Sequence, residues 1–110
     1  MGKLSNAQAQ FTWMIGQLIH FAFINGYRVR GLCWRCVKEG HHMKDSLHYD
    51  GLAVDFALDI RMPNGKWRYC DLTEDYRELG EFWETIGGAW GGRFTPPDGN
   101  HFSLGYGGRK

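Results

Sequence analysis

The sequence has few cysteines and prolines, three of each, and no long apolar run. An odd number of cysteines does not close a disulfide framework, which favours a reducing compartment. Because no stretch is long and apolar enough for a transmembrane helix, we expect no membrane insertion. The opening residues MGKLSNAQAQ lack the apolar core and cleavage site of a secretory signal peptide. We therefore expect a protein that is made in the cytoplasm and carries no signal peptide.

A charge excess of either sign is also missing. Thirteen basic residues face twelve acidic ones, for a net charge of +1. Such a balance gives no electrostatic reason to expect nucleic-acid binding. A chain of 110 residues that is 43% hydrophobic has the size and the apolar content of one domain, residues 1–110. We expect a monomer.

The N-terminal part predicts a helix over about residues 6–24. Ser5 and Gln8 have the spacing of a capping box, and Asn25-Gly26 ends the pattern. The apolar residues that recur at helical spacing are Phe11, Met14, Ile15, Leu18 and Ala22. Three further apolar residues widen that face: Trp13, Phe21 and Phe23. The helix is therefore predicted to be largely buried.

The segment 53–61 alternates as a strand does, with Val54, Phe56, Leu58 and Ile60 on one side. Asp55 points away from that apolar side, between two alanines that leave room for a bound ion. Residues 27–30, 67–70 and 100–104 predict further strands, and Pro63–Lys66 predicts a hairpin turn.

A second helix is predicted to begin at Asp71 or Thr73 and to end at Gly87-Gly88. Its apolar positions are Leu72, Tyr76, Leu79, Trp83 and Ile86. The expected fold is α+β, a small single domain in which helices pack on one face of an antiparallel sheet.

His48, Asp55 and His101 make a three-ligand set of two imidazoles and one carboxylate. This set suits Zn²⁺ with an open fourth position, placed here at the open face of the sheet. Such a zinc ion lowers the pKa of a bound water towards 7 and polarises a carbonyl group. Asp98, three residues before His101, is the candidate general base. A lone histidine is more often structural than a ligand, and this alternative stays open from spacing alone.

A different metal site is conceivable upstream. Cys33 and Cys36 form a CxxC pair, with His41 and His42 close behind. That pattern could hold a structural zinc ion in a small binding module. The histidines follow too closely for the usual finger spacing, so free thiols are the favoured interpretation.

Two motifs give the chain a resemblance to a known family. Residues 46–55, SLHYDGLAVD, match the SxHxxGxAxD signature of zinc D-Ala-D-Ala carboxypeptidases and L-alanyl-D-glutamate endopeptidases, and residues 98–102, DGNHF, match its DxxHF motif. Between them, residues 79–83 and 89–94 resemble the LGxxW and WGGxF segments of the small phage-type members.

The resemblance implies zinc bound by His48, Asp55 and His101, with Asp98 as the catalytic acid and base. It implies a substrate-contacting arginine upstream, for which Arg30 matches best and Arg28 and Arg35 are alternatives. The glutamine that many relatives carry after this arginine is missing. Ser46 is implied to support the metal-site loop by hydrogen bonding.

The family resemblance also implies a substrate and a setting. Its members cut stem peptides of bacterial peptidoglycan, and a short chain without a wall-binding module is similar to a bacteriophage endolysin. Such a protein is made in the host cytoplasm and reaches the wall after the membrane is breached. A non-catalytic relative that binds the cell wall or forms part of a virion is the alternative.

Overall fold

The computed structural model describes residues 2–31, 47 and 50–110. That part of the chain holds two α-helices and six short strands. In chain order they are α1 (Lys3–Ile24), β1 (Tyr27–Arg30), β2 (Ala53–Asp55), β3 (Ala57–Arg61), β4 (Trp67–Cys70), α2 (Arg77–Thr85), β5 (Ala89–Trp90) and β6 (His101–Ser103). Single 3₁₀ turns occupy Thr73–Tyr76 and Gly91–Arg93. The predicted α+β class is confirmed.

The strands form two three-stranded antiparallel sheets, one ordered β1-β3-β4 and the other β2-β6-β5. The segment predicted as one strand over 53–61 is divided at Phe56. The Phe56 N–H donates to the Asn100 carbonyl at 3.0 Å, outside either ladder. Asp55 therefore belongs to one sheet and Asp59 to the other. The division places Asp55 beside β6, where the rest of the candidate site lies.

The first helix begins earlier than the sequence predicts. Gly2 is its N-cap and makes no side-chain cap bond, so the predicted capping box at Ser5 is wrong. The Ser5 hydroxyl instead donates to the Gly2 carbonyl at 2.9 Å, inside the first turn. The predicted end is confirmed, because Asn25 is the C-cap and Gly26 has a φ of +82°.

Only one side of α1 is buried. Phe11, Met14, Leu18 and Ala22 recur at i, i+3, i+7 and i+11 and face the core. Trp13 is 60% exposed and Phe23 is 77% exposed, so the prediction of a largely buried helix is wrong. Among the described elements, α1 packs mainly on β1 and α2.

The predictions for the hairpin and the second helix are confirmed in part. The hairpin at 63–66 is confirmed by the Met62 N–H, which donates to the Lys66 carbonyl at 2.8 Å. Leu72, predicted to lie on the apolar face of the second helix, is exposed because that helix starts after it.

The helices and strands enclose one core. The largest fully buried side chains are Trp83, Trp90, Tyr76, Phe102, Met14, Leu18, Leu52, Leu58 and Leu79. Among the described residues, neither helix combines the length and the apolarity needed to span a membrane.

Candidate metal centre

The site begins with a cross-strand pair. Asp55, at the end of β2, lies opposite His101, at the start of β6. In an antiparallel pair, directly opposed side chains share one face of the sheet. The Asp55 Oδ1 lies 3.5 Å from the His101 Nδ1. The sheet thus brings an oxygen donor and a nitrogen donor together from distant parts of the sequence.

Asp98 joins this pair from the turn before β6. One ligand atom each from Asp55, Asp98 and His101 lies within 4.8 Å of the others. The three differ in exposure: His101 is buried, Asp55 is partly buried and Asp98 is exposed. The cluster therefore has a protected base and a side that opens to water.

The surroundings of His101 act on its charge in opposite directions. Burial lowers the pKa of the imidazole, but the Asp55 carboxylate and the Lys110 carbonyl together raise it above its usual value. The Lys110 carbonyl lies 3.0 Å from Nε2, on the side of the ring away from Asp55. The Phe94 ring packs against the imidazole with centroids 5.1 Å apart. Both nitrogens of His101 are therefore oriented by named partners.

The turn that carries Asp98 is held by Gly91. The Asp98 N–H donates to the Gly91 carbonyl at 2.8 Å, and the His101 N–H donates to the Asp98 carbonyl at 3.1 Å. A Cβ on Gly91 would lie 2.1 Å from the Asp98 carbonyl oxygen and 2.7 Å from the His101 Cβ. Only glycine permits this approach, so Gly91 helps to set the positions of Asp98 and His101.

Two more contacts hold the same turn at Gly99. The Trp90 indole N–H donates to the Gly99 carbonyl at 2.8 Å, and the Gly99 N–H donates to the Thr73 hydroxyl at 3.2 Å. The Trp90 side chain is fully buried, and the sequence did not predict that it holds the turn that carries Asp98. The available signal was the WGG run, in which two glycines follow a large aromatic residue.

The Tyr76 hydroxyl holds the backbone at Phe56, where β2 ends and β3 begins. Its hydroxyl oxygen lies 3.2 Å from the Phe56 carbonyl, 3.0 Å from the Cys70 carbonyl and 3.2 Å from the Leu58 N–H, which donates to it. Burial raises the pKa of Tyr76 to about 12, so it stays a neutral phenol. The sequence predicted only an apolar role for this residue.

Arg30 forms an ion pair with a buried carboxylate. Its guanidinium donates twice to the buried Asp59, at 2.7 Å and 3.0 Å, and Arg28 donates to the same carboxylate at 2.8 Å. The hydrogen bond from Arg30 keeps the pKa of Asp59 below its usual value, although burial opposes this. Arg30 pairs in register with Ala57, two positions beyond Asp55. The substrate role predicted for Arg30 remains a prediction.

Several predicted residues lie outside the described part of the chain. They are Arg35, His48 and Ser46, and the cysteines and histidines of the alternative zinc pattern, Cys33, Cys36, His41 and His42. Cys70, the one cysteine in the described part of the chain, is a buried free thiol.

The donor set fits a metal ion of the zinc type. Imidazole nitrogen and carboxylate oxygen are both zinc ligands, and catalytic zinc sites use three of them with one position left open. Of the described residues, Asp55 and His101 supply one oxygen and one nitrogen, and Asp98 brings a second carboxylate within the same 4.8 Å. The fold and this cluster define a small α+β protein with a candidate metal centre at a sheet edge.

The comparison with protein families agrees with that class. A family model described as D-alanyl-D-alanine carboxypeptidase matches residues 31–104, about two thirds of the chain. The chain therefore belongs to this family of peptidases, which confirms the resemblance drawn from its two motifs. No curated protein gave a match.

Proposed function

We propose that this protein is a zinc-dependent peptidase that hydrolyses a peptide bond in the stem peptides of bacterial peptidoglycan. The observation that supports it most is the Asp55, Asp98 and His101 cluster, within 4.8 Å, in a chain that belongs to a peptidase family. Asp55, Asp98 and His101 are also the positions for which the sequence resemblance implies metal binding and proton transfer.

In this proposal His48, Asp55 and His101 hold the zinc ion, which supplies Lewis acidity towards the peptide carbonyl and towards water. Asp55 and His101 are presented by paired strands, so their spacing is fixed by backbone hydrogen bonds. Asp98 comes from a turn and is exposed. This difference in support and exposure favours ligand roles for the first two and a proton-transfer role for Asp98.

Asp98 would take a proton from the attacking water and return it to the departing amine. A carboxylate beside a metal, open to solvent and not enclosed in the core, can exchange that proton between turnovers. Its backbone is fixed through Gly91 and Gly99, so the side chain can reorient without moving the turn. Ser46 would support the metal-site loop by hydrogen bonding.

Arg30 is proposed to contact the substrate. Stem peptides carry carboxylates, and a guanidinium can bind one with two parallel hydrogen bonds. The side chain of Arg30 is about half exposed, 52%, while it is anchored on Asp59. It therefore keeps part of its surface for a ligand.

A bacteriophage endolysin is the setting we propose. The protein would accumulate in the host cytoplasm and act on the wall after a separate protein has breached the membrane, with peptidoglycan as its partner and no need of a second copy. Expression in a bacterium should lyse cells only when a pore-forming protein is expressed with it. Lysis without that second protein would contradict the proposed setting.

The proposed reaction can be tested on purified peptidoglycan sacculi. The zinc-loaded protein should release muropeptides whose masses, determined by mass spectrometry, identify one cleaved peptide bond. Removal of the metal by a chelator should stop release, and added zinc should restore it. Binding to sacculi without release of any peptide would favour the non-catalytic alternative and contradict the proposal.

A further inference from the structure

Residues 104–110 fold back towards the candidate metal centre, and we call them the closing turn. It starts where the Leu104 N–H donates to the Leu52 carbonyl at 2.9 Å, and it reverses direction between Tyr106 and Arg109, which exchange two backbone hydrogen bonds of 3.0 Å. The two residues between them, Gly107 and Gly108, have φ of +59° and +79°. Positive φ at both positions is typical of a tight two-residue hairpin loop.

Three contacts, made by Arg109 and Lys110, fix the closing turn to the site. The Arg109 Nη2 donates to the Asp50 Oδ2 at 2.6 Å, just before β2, the strand that carries Asp55. The Lys110 carbonyl oxygen accepts from the Ser103 hydroxyl and lies 3.0 Å from the His101 Nε2. The turn therefore bridges the approach to β2 and the side chains of β6.

The contact with Lys110 orients the imidazole of His101. A carbonyl oxygen only accepts hydrogen bonds, so the Nε2–H opposite it donates to it. Nδ1 then faces the candidate metal centre, 3.5 Å from the Asp55 Oδ1. Partners of this kind orient metal-binding histidines and strengthen metal binding.

We propose that the closing turn is a positioning element for His101, in which the Lys110 carbonyl accepts from the Nε2–H and orients the ring, and the Arg109–Asp50 pair keeps that carbonyl in place. The proposal rests on the proposed function in one respect, that His101 is a metal ligand. The proposal implies that the closing turn, which supplies no metal ligand, changes the affinity of the site for a metal ion.

The test uses a pair of variants at one position. A Cβ on Gly108 meets no atom within 4 Å, so only the positive φ opposes a substitution there. Gly108→Val should displace the turn, because a β-branched residue disfavours this backbone, whereas Gly108→Asn should keep it. In competition with a chromophoric chelator, Gly108→Val should bind zinc about 10- to 100-fold more weakly, and Gly108→Asn should bind like the parent protein.

A second readout does not depend on metal. In the zinc-free protein, NMR should show an Nε2–H proton of His101 that exchanges slowly with water in the parent and in Gly108→Asn, and one that exchanges fast in Gly108→Val. If Gly108→Val does not fold, Arg109→Ala replaces it, with the exposed Arg68→Ala as the control for lost charge. Arg109→Ala and Asp50→Asn should each weaken zinc binding, and the double variant should be no weaker than either.

The outcomes separate the two proposals. A parent protein that binds no zinc would overturn the proposed function, while the exchange of the His101 Nε2–H proton would still test the closing turn. A parent that binds zinc, with equal affinity and an unchanged exchange rate of that proton in Gly108→Val or Arg109→Ala, would overturn the positioning role and leave the proposed function intact.

Discussion

Asp55 and His101 face each other across the β2–β6 pair, and the Asp55 Oδ1 lies 3.5 Å from the His101 Nδ1. Backbone hydrogen bonds between two strands therefore set the distance between two candidate ligands. Asp98 is added by a turn that is held from three sides, by Gly91, Trp90 and Thr73. The site depends as much on these supports as on its own side chains.

Gly91→Ala should damage the site, although it adds only one methyl group. The new Cβ would lie 2.1 Å from the Asp98 carbonyl oxygen, so the turn must move. We expect peptidase activity to fall by about 100-fold, as displacements near 1 Å commonly cause. We also expect a loss of about 1–3 kcal/mol in the free energy of unfolding, measured in urea.

The control for that variant is Gly16→Ala. Gly16 lies inside α1 and a Cβ there meets no atom within 4 Å. Alanine should keep activity and stabilise the helix by about 0.5–1 kcal/mol. If Gly91→Ala matches the parent in both activity and stability, the supporting role of Gly91 is wrong.

Tyr76→Phe should destabilise the protein by about 1–3 kcal/mol, because it removes the buried hydroxyl that contacts the backbone of Phe56, Leu58 and Cys70. Urea denaturation measures the change. Tyr69→Phe removes a hydroxyl from a side chain that is 54% exposed and should change stability by less than about 0.5 kcal/mol. Equal effects of the two substitutions would contradict the role assigned to the Tyr76 hydroxyl.

The Asp59 carboxylate gives stability a defined pH dependence. Its pKa is lower in the folded chain than the value of about 3.9 for an unfolded one, chiefly through the hydrogen bond from Arg30. Its contribution to stability is therefore complete above about pH 4 and is lost as the pH falls through the lower, folded pKa. Denaturation curves recorded from pH 7 to pH 2 should show this loss in the parent, and Asp59→Asn should show a smaller one. An identical acid profile in both proteins would refute it.

Arg30 and Arg28 form a matched pair for the substrate role. Both donate to Asp59, so both Arg30→Ala and Arg28→Ala should lower the melting temperature. Only Arg30→Ala should also lower kcat/KM for a stem peptide, because we propose that Arg30 alone contacts the substrate. Equal kcat/KM in the two variants would leave Arg30 with a structural role only.

The sequence predicted the parts of the fold that depend on local pattern. The apolar spacing of Phe11, Met14, Leu18 and Ala22 predicted α1 and its buried face. It could not show that Trp13 and Phe23 are exposed, because that depends on how much of the helix β1 and α2 cover. Alternation over 53–61 predicted extended backbone, but the division at Phe56 depends on hydrogen bonds to Asn100 and Tyr76, which are distant in sequence.

The candidate site, like the fold, was predicted only in part from the sequence. Asp55, Asp98 and His101 were predicted from residue type and motif, and the structure brings these three together. Their supports were not predicted, since the fit of Gly91 against Asp98 and of Trp90 against Gly99 appears only when β5 and β6 pair. A glycine that fits against a distant backbone has the same sequence signal as a glycine in an open turn.

The most direct test of the account is the zinc content and the peptidase activity of Asp98→Asn beside His101→Ala. Asp98→Asn should bind one zinc per chain like the parent protein and should lose turnover by at least about 100-fold, because it keeps the ligands and removes the proton-transfer group. His101→Ala should lose both zinc and activity. If Asp98→Asn loses its zinc, Asp98 is a ligand. If Asp98→Asn retains zinc and full turnover, another residue is the acid and base. Either result would contradict the assignment.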